Sequence, residues 1–258
     1  MLRFSDNQLS IKEIYLSGIK AYKAVYSKVW VIVLINALLS GLTLLIINHY
    51  LPPSVPQNAM AVKTAAATAT TAAVAPVSPH FTAVLLLNAA LVLIATYLYA
   101  VLLHQIYFLI KGEETTLQKS LSIALYKYPI IIIASIISLI LAGIGFIALV
   151  IPGVYVYILL LFATPFILFD NKNIFSSIKA SAKLVWGNWL RTFLVLLPLT
   201  FIVIALSLFA NSIAHGNTAV FVILNMLSSL FIFPFYPIFI LYLFNDLKVR
   251  KGMVVKAA

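Results

Sequence analysis

The stretch Ile130–Phe169 reads IIIIASIISLILAGIGFIALVIPGVYVYILLLFATPFILF and contains no acidic, basic or histidine residue. Its apolar residues run solidly rather than alternating with polar ones. That excludes the two-residue period of a half-buried or barrel strand and leaves helix. Its length is about twice the ~20 helical residues that cross a ~30 Å hydrocarbon core. At its middle, Ile151-Pro152-Gly153 supplies a stop and a turn, because proline ends a helix and glycine permits the reversal. The stretch therefore predicts a transmembrane hairpin with spans over Ile130–Val150 and Val154–Phe169.

Outward from this hairpin, four more apolar runs qualify: Val29–Asn48, Phe81–Ile110, Leu190–Ala210 and Ala219–Phe244. The chain of 258 residues is 64% hydrophobic and 9% charged, with a mean hydropathy of +1.11. Soluble domains carry about 25% charged residues, so a soluble fold is excluded. The first run begins behind a basic segment and is too long for a signal-peptide core, so it reads as an uncleaved span. The second and sixth runs exceed what a bilayer needs and predict tilt, a kink or projection. The fourth is short, with ends at the interface.

The charges orient this frame. Of 17 Lys and Arg residues, all but Lys63 fall before span one, between spans two and three, between spans four and five, or after span six. The positive-inside rule places those segments, with both termini, on the cytoplasmic side. An odd number of spans would destroy the pattern. The net charge of +11 thus reads as topology plus attraction to anionic lipids of the cytoplasmic leaflet, and no nucleic-acid partner is expected.

The expected fold class is an all-α membrane protein: one polytopic domain over residues 1–258, with six transmembrane helices arranged as three hairpins. An amphipathic helix on the cytoplasmic side precedes each hairpin, over 1–28, 111–129 and 170–189. These segments place Ile11, Ile14, Gly18, Tyr22 and Val25, then Leu117, Leu121, Ala124 and Leu125, then Ile174, Ile178, Ala182 and Val185 at three- and four-residue steps. Each segment ends in Tyr or Trp, the pattern of a helix in the headgroup region. The extracytoplasmic loop over 51–80 (periplasmic if the membrane is a bacterial inner one) is an Ala/Thr tract between prolines and predicts a flexible linker rather than a packed domain.

Candidate chemistry is sparse. The chain has no cysteine, which excludes thiolate catalysis and Cys-based metal sites. No H-E-x-x-H, G-x-S-x-G, Walker or G-x-G-x-x-G motif occurs. Gly143-Ile144-Gly145 lies inside a span and reads as helix packing. None of the six acids falls at a span centre, where ion-coupled transporters need them. His49, His80, His104 and His215 have no ligand spacing. No cofactor, metal or catalytic residue is assigned. Asp170 or Asn171 is placed to cap the third amphipathic helix. Pro165, Pro198, Pro234 and Pro237 interrupt spans and free carbonyls that must find partners within the protein. Asn88, Tyr97, His104, Asn225 and Ser228 are the polar residues placed to line a cavity between kinked spans, with a hydrogen-bonded packing cluster as the alternative for His104.

One segment carries a family resemblance. Val150–Val195 combines an I-P-G turn, a short span with Pro165, then Asp170, an S-x-x-x-S helix at Ser177 and Ser181, and W-x-N at Trp186 and Asn188. It resembles the YciC family of bacterial inner-membrane proteins and is similar to the membrane domain of some glycerophosphodiester phosphodiesterases. Pro152, Gly153, Pro165, Asp170, Trp186 and Asn188 carry the motif. The resemblance implies an inner-membrane location with Asp170 to Asn188 on the cytoplasmic face; it implies no catalysis, since no soluble catalytic barrel fits beside six spans. Three readings follow. The first is a non-enzymatic organiser of the envelope or of its lipids, or a membrane subunit with a protein partner. The second is a transporter or lipid translocator using the proline-kinked helices. An intramembrane enzyme is the third.

Overall fold

The computed structural model describes residues 4–50 and 79–253. The loop expected over 51–80 falls outside the described residues, except that Pro79 begins a helix. The described elements are α1 (Ile11–Tyr50), α2 (Pro79–Lys111), α3 (Leu117–Ala148), α4 (Val150–Leu160), α5 (Ala163–Asp170), α6 (Ile174–Val185), α7 (Trp189–Ala214), α8 (Thr218–Ile232) and α9 (Phe235–Arg250). Six helical stretches are long and apolar enough to cross a membrane, with α4 and α5 making the fourth and α8 and α9 the sixth. The protein is an all-α, multi-pass membrane protein.

The amphipathic segments are helical, but the first two are not separate from their spans. α1 opens with a capping box: the Glu13 amide donates to Ser10 Oγ at 3.2 Å, and the Ser10 amide donates to Glu13 Oε2 at 2.6 Å. It then runs for 40 residues, about 60 Å, because no proline interrupts it. α3 starts at Thr116, whose hydroxyl accepts from the Lys119 amide, and continues through Pro129. Only α6 stands alone. The apolar stripe of the first faces the bundle, with Ile14, Val25 and Val29 buried; in the second Ala124 is buried but Leu125, expected on the same stripe, is exposed; in the third Leu184 and Val185 are buried.

The turn of the central hairpin lies earlier than Ile151-Pro152-Gly153. α3 ends at Ala148, Leu149 is extended, and α4 begins at Val150. Pro152 therefore sits in the first turn of α4, where its missing N–H has no helical acceptor to lose. Gly153 serves packing rather than turning. A Cβ there would lie 2.3 Å from the Phe146 ring, and one on Gly145 would lie 2.9 Å from the Gly153 Cα. Gly143, by contrast, faces open space.

The core sits at the end of the bundle that carries the basic residues. α9 is its hub: Ile238 through Phe244, Asp246 and Leu247 are all buried, the signature of a helix surrounded on every side. The first half of α1 lies along α9, with Tyr15 against Phe239 and Tyr22 stacked on Phe235 at 4.0 Å. Phe162 and Phe166 meet Phe244 from another side.

Candidate functional site: a stapled basic end and hydroxyl-lined clefts

Pro165 breaks the fourth span. It lacks an amide proton, so α4 and α5 separate at Leu161 and Phe162. The backbone groups at the break are met by one side chain of α6. Ser181 Oγ accepts from the Phe162 amide at 3.0 Å and donates to the Leu159 carbonyl at 2.7 Å. This is where the S-x-x-x-S pattern acts. Ser181 replaces helical hydrogen bonds, while Ser177 donates to Ile174 O one turn back in its own helix.

α5 ends under a second set of contacts. Asn171 takes a left-handed conformation (φ 51°) and closes α5, whereas Asn173 caps α6 by accepting from the Ser176 amide at 3.0 Å. The cap expected from Asp170 or Asn171 thus comes from Asn173. Asp170 instead accepts from Lys248 Nζ through both oxygens at 2.9 Å. Lys127 donates to the Ile167 and Leu168 carbonyls and to Asn171 Oδ1, so its ammonium sits on the carbonyl end of α5, where the helix dipole favours a cation.

The third set joins both termini. Asp246 is fully buried and accepts from the Leu9 amide at 2.7 Å, Arg191 Nε at 3.0 Å and Arg250 Nε at 2.9 Å. Both guanidinium groups also donate to the Leu9 carbonyl, and Asn245 donates to Ser5 O. A buried carboxylate needs this many donors to remain in a low-dielectric site. In the sequence Asp246 reads as one of six scattered acids. The available signal is an acid closing an apolar run, with Arg250 one helical turn on.

The other motif residues lie nearby. Trp186 is exposed, and its carbonyl accepts from Lys251 Nζ. Asn188 precedes α7 without a side-chain cap bond.

Clefts indent the apolar part of the bundle among the described residues. The first, about 260 Å³, is lined by Thr96, Tyr99, Ser135, Ser138, Tyr157 and Tyr236 among apolar neighbours. A second, about 400 Å³, lies between α1, α2 and α8 and includes Asn36, Ser40, Thr43, Asn225 and Ser229. A third, about 480 Å³, includes Tyr157, Phe193, Thr200 and Tyr236.

Of the residues placed beforehand at a cavity, Asn225 lines the second cleft. The other four lie outside all three. Asn88 and Ser228 bond carbonyls of their own helices. Tyr97 donates to Leu121 O and packs edge-on to Tyr128. His104 is buried, 3.1 Å from Ser120 Oγ and beside Phe108, a packing cluster that ties α2 to α3. The structure does not bring these five together. The cleft-lining hydroxyls of α3 and α4 were not legible, because serines and tyrosines inside spans carry no signature of the direction they face.

Compared with models of known protein families, with curated proteins and with solved structures, the chain matches none of them.

Proposed function

We propose that this chain is a non-enzymatic, lipid-associated protein of the bacterial inner membrane. Both termini are cytoplasmic, and the protein serves as a membrane organiser or as the membrane subunit of a larger complex. The observation that carries this reading is the outer face of α6. Phe175, Lys179 and Lys183, followed by Trp186, are exposed, while Ser177, Ser181, Leu184 and Val185 fix the opposite face to the bundle. Aromatic rings flanking ammonium groups suit the headgroup layer of an anionic leaflet, where each lysine contributes about 1 kcal/mol. The resemblance to the YciC family, which implies a cytoplasmic face for Asp170 to Asn188, agrees with this orientation.

The test is lipid retention. The Lys179→Gln/Lys183→Gln variant, purified in mild detergent and read by native mass spectrometry, should hold phosphatidylglycerol about thirtyfold less well than the natural chain. Its binding of phosphatidylethanolamine should be unchanged. Unaltered phosphatidylglycerol retention would sink the reading.

The second reading, a lipid translocator, draws on the clefts that open between spans around the half-exposed Tyr157. Protein-dependent movement of labelled lipid across reconstituted vesicles would favour it over a static organiser.

A further inference from the structure

The second cleft lies deep in the membrane. Lys28, flanked by Tyr26 and Trp30, marks the interface on α1. Asn48 follows it by about 30 Å of unbroken helix, the thickness of the hydrocarbon core. Asn36, Ser40 and Thr43, which line the cleft, therefore stand about 12, 18 and 22 Å beyond Lys28 and straddle the midplane. Val92 on the rim is 60% exposed. The cleft thus opens sideways to hydrocarbon, which supplies no water to a bare polar group.

Most polar side chains of the cleft bond their own helices. Ser40 donates to Ala37 O, Thr43 to Leu39 O, Asn225 to Phe221 O and Ser229 to Met226 O, at 2.8–2.9 Å. Asn36 is the exception. It is 8% exposed, and its amide has no hydrogen-bond partner among the described residues. Nor is it sealed in, since its oxygen and nitrogen are not among the fully buried side-chain atoms that lack a partner. Two N–H donors and a carbonyl are thus left for an occupant of the cleft. Asn225 keeps one N–H as well. The three hydroxyl protons are engaged, so the amides of Asn36 and Asn225 are the donors on offer.

Their spacing restricts the ligand. α8 and α9 run antiparallel to α1, with Met226 at Gly41 and Phe235 on Tyr22, so Asn225 is level with Leu42. The two amides are then offset by about 9 Å along the bundle. A diacyl lipid keeps its charge and esters at the headgroup layer, outside the core. One water occupies ~30 Å³, against about 400 Å³ in the cleft. An uncharged molecule soluble in hydrocarbon, with carbonyl acceptors on opposite sides of a ring, meets all three conditions. Two hydrogen bonds of ~3 Å and the width of the ring cover the offset.

We propose that the cleft between α1, α2 and α8 binds the ring of an isoprenoid quinone, with Asn36 and Asn225 donating to its two carbonyls and the tail leaving past Val92. This goes beyond the lipid-associated reading of α6 and does not depend on it.

The test places the full-length protein in nanodiscs of one lipid composition. Decylubiquinone or decylbenzene, the latter carrying ring and tail without oxygen, is added at equal concentration in the bilayer. Probe retained per protein, above that in protein-free discs, is measured by extraction and chromatography. The quinone should be retained about thirtyfold better, and Asn36→Leu and Asn225→Leu should each cut its retention about fivefold. Asn36→Leu removes an unpartnered amide and should not lower the thermal midpoint, so its loss of quinone is not a loss of fold. Ala95→Leu, on the cleft wall, keeps both amides but narrows the space and should lower retention too. Equal retention of the two probes by the natural chain, the result of a cleft that holds only water, overturns the proposal. So does quinone retention unchanged in both Asn36→Leu and Asn225→Leu. The Lys179→Gln/Lys183→Gln variant should keep its quinone, so this proposal and the reading of α6 fail by different signals.

Discussion

At the basic end, Asp246, Arg191, Arg250 and Leu9 join segments from the two extremes of the chain. At the other end, α1 meets α8 through Gly41 against Met226, and α3 meets α4 through Gly145 against Gly153. The surfaces differ in the same way. The α3–α4 tip is open, with Ile147 88% and Ile151 79% exposed, whereas α9 is buried throughout its middle. Hydrocarbon gives apolar side chains no reason to leave it for one another. Helices within it therefore associate by close approach at small residues. Near the headgroups, charge and burial both contribute, and the chain uses them to build a core. The basic end is thus the structural centre, and the opposite end is a set of paired helices.

The largest expected effect comes from breaking the staple. Asp246→Ala removes the carboxylate between two arginines and leaves their charges uncompensated beside buried backbone. A paired buried charge of this kind costs 3–5 kcal/mol when its partner is lost. Because both arginines are partly exposed, about 3 kcal/mol is expected. The measurement is thermal unfolding in detergent together with limited proteolysis. A lower midpoint should accompany new cleavage near the N-terminus, since the Leu9 amide loses its acceptor and the two arginines on the Leu9 carbonyl lose the carboxylate that holds them. A midpoint within error of the natural chain would show that the staple does not hold this end together.

A smaller effect tests the α4–α5 break. Ser181→Ala leaves the Phe162 amide and the Leu159 carbonyl unpaired, at about 1–2 kcal/mol. Ser212→Ala, at the opposite end, removes a hydroxyl that only donates to its own helix and should cost close to nothing. If the two substitutions cost the same, Ser181 is not bridging the break.

These contacts mark how far the sequence could be read. The spans were legible because hydropathy depends only on composition within a window. The Pro165 break was legible because a missing amide proton is a property of one residue. Its remedy at Ser181 was not, since any hydroxyl brought near by folding could serve. The same holds for Asp246, whose partners lie on α7 and on the segment before α1. Continuity was hidden too. A basic amphipathic stretch followed by an apolar one reads alike whether the helix bends at Lys28 or runs on, and α1 runs on. The cleft residues fall in the same class, because Ser135 and Ser138 differ from Thr96 only in which acceptor lies within reach.

The smallest expected effect sharpens the comparison most. Gly18 and Gly41 both lie in α1, one at each end of the bundle, and both face a side chain where a Cβ would go. At Gly18 the obstacle is the Phe239 ring, 2.7 Å away, itself buried between Tyr15 and Phe235. At Gly41 it is the Met226 thioether, 2.3 Å away. Alanine gains about 1 kcal/mol of helix propensity at either position. Against that, a rigid buried ring must shift its neighbours, at about 1–3 kcal/mol, while methionine has three torsions with which to move aside. Gly18→Ala should therefore destabilise by about 1 kcal/mol and Gly41→Ala by close to zero, although the nearer obstacle is at Gly41. Thermal midpoints of the two variants in the same detergent decide it. A larger loss at Gly41 would mean that the helix pairs of the outer end are packed as rigidly as the core around α9.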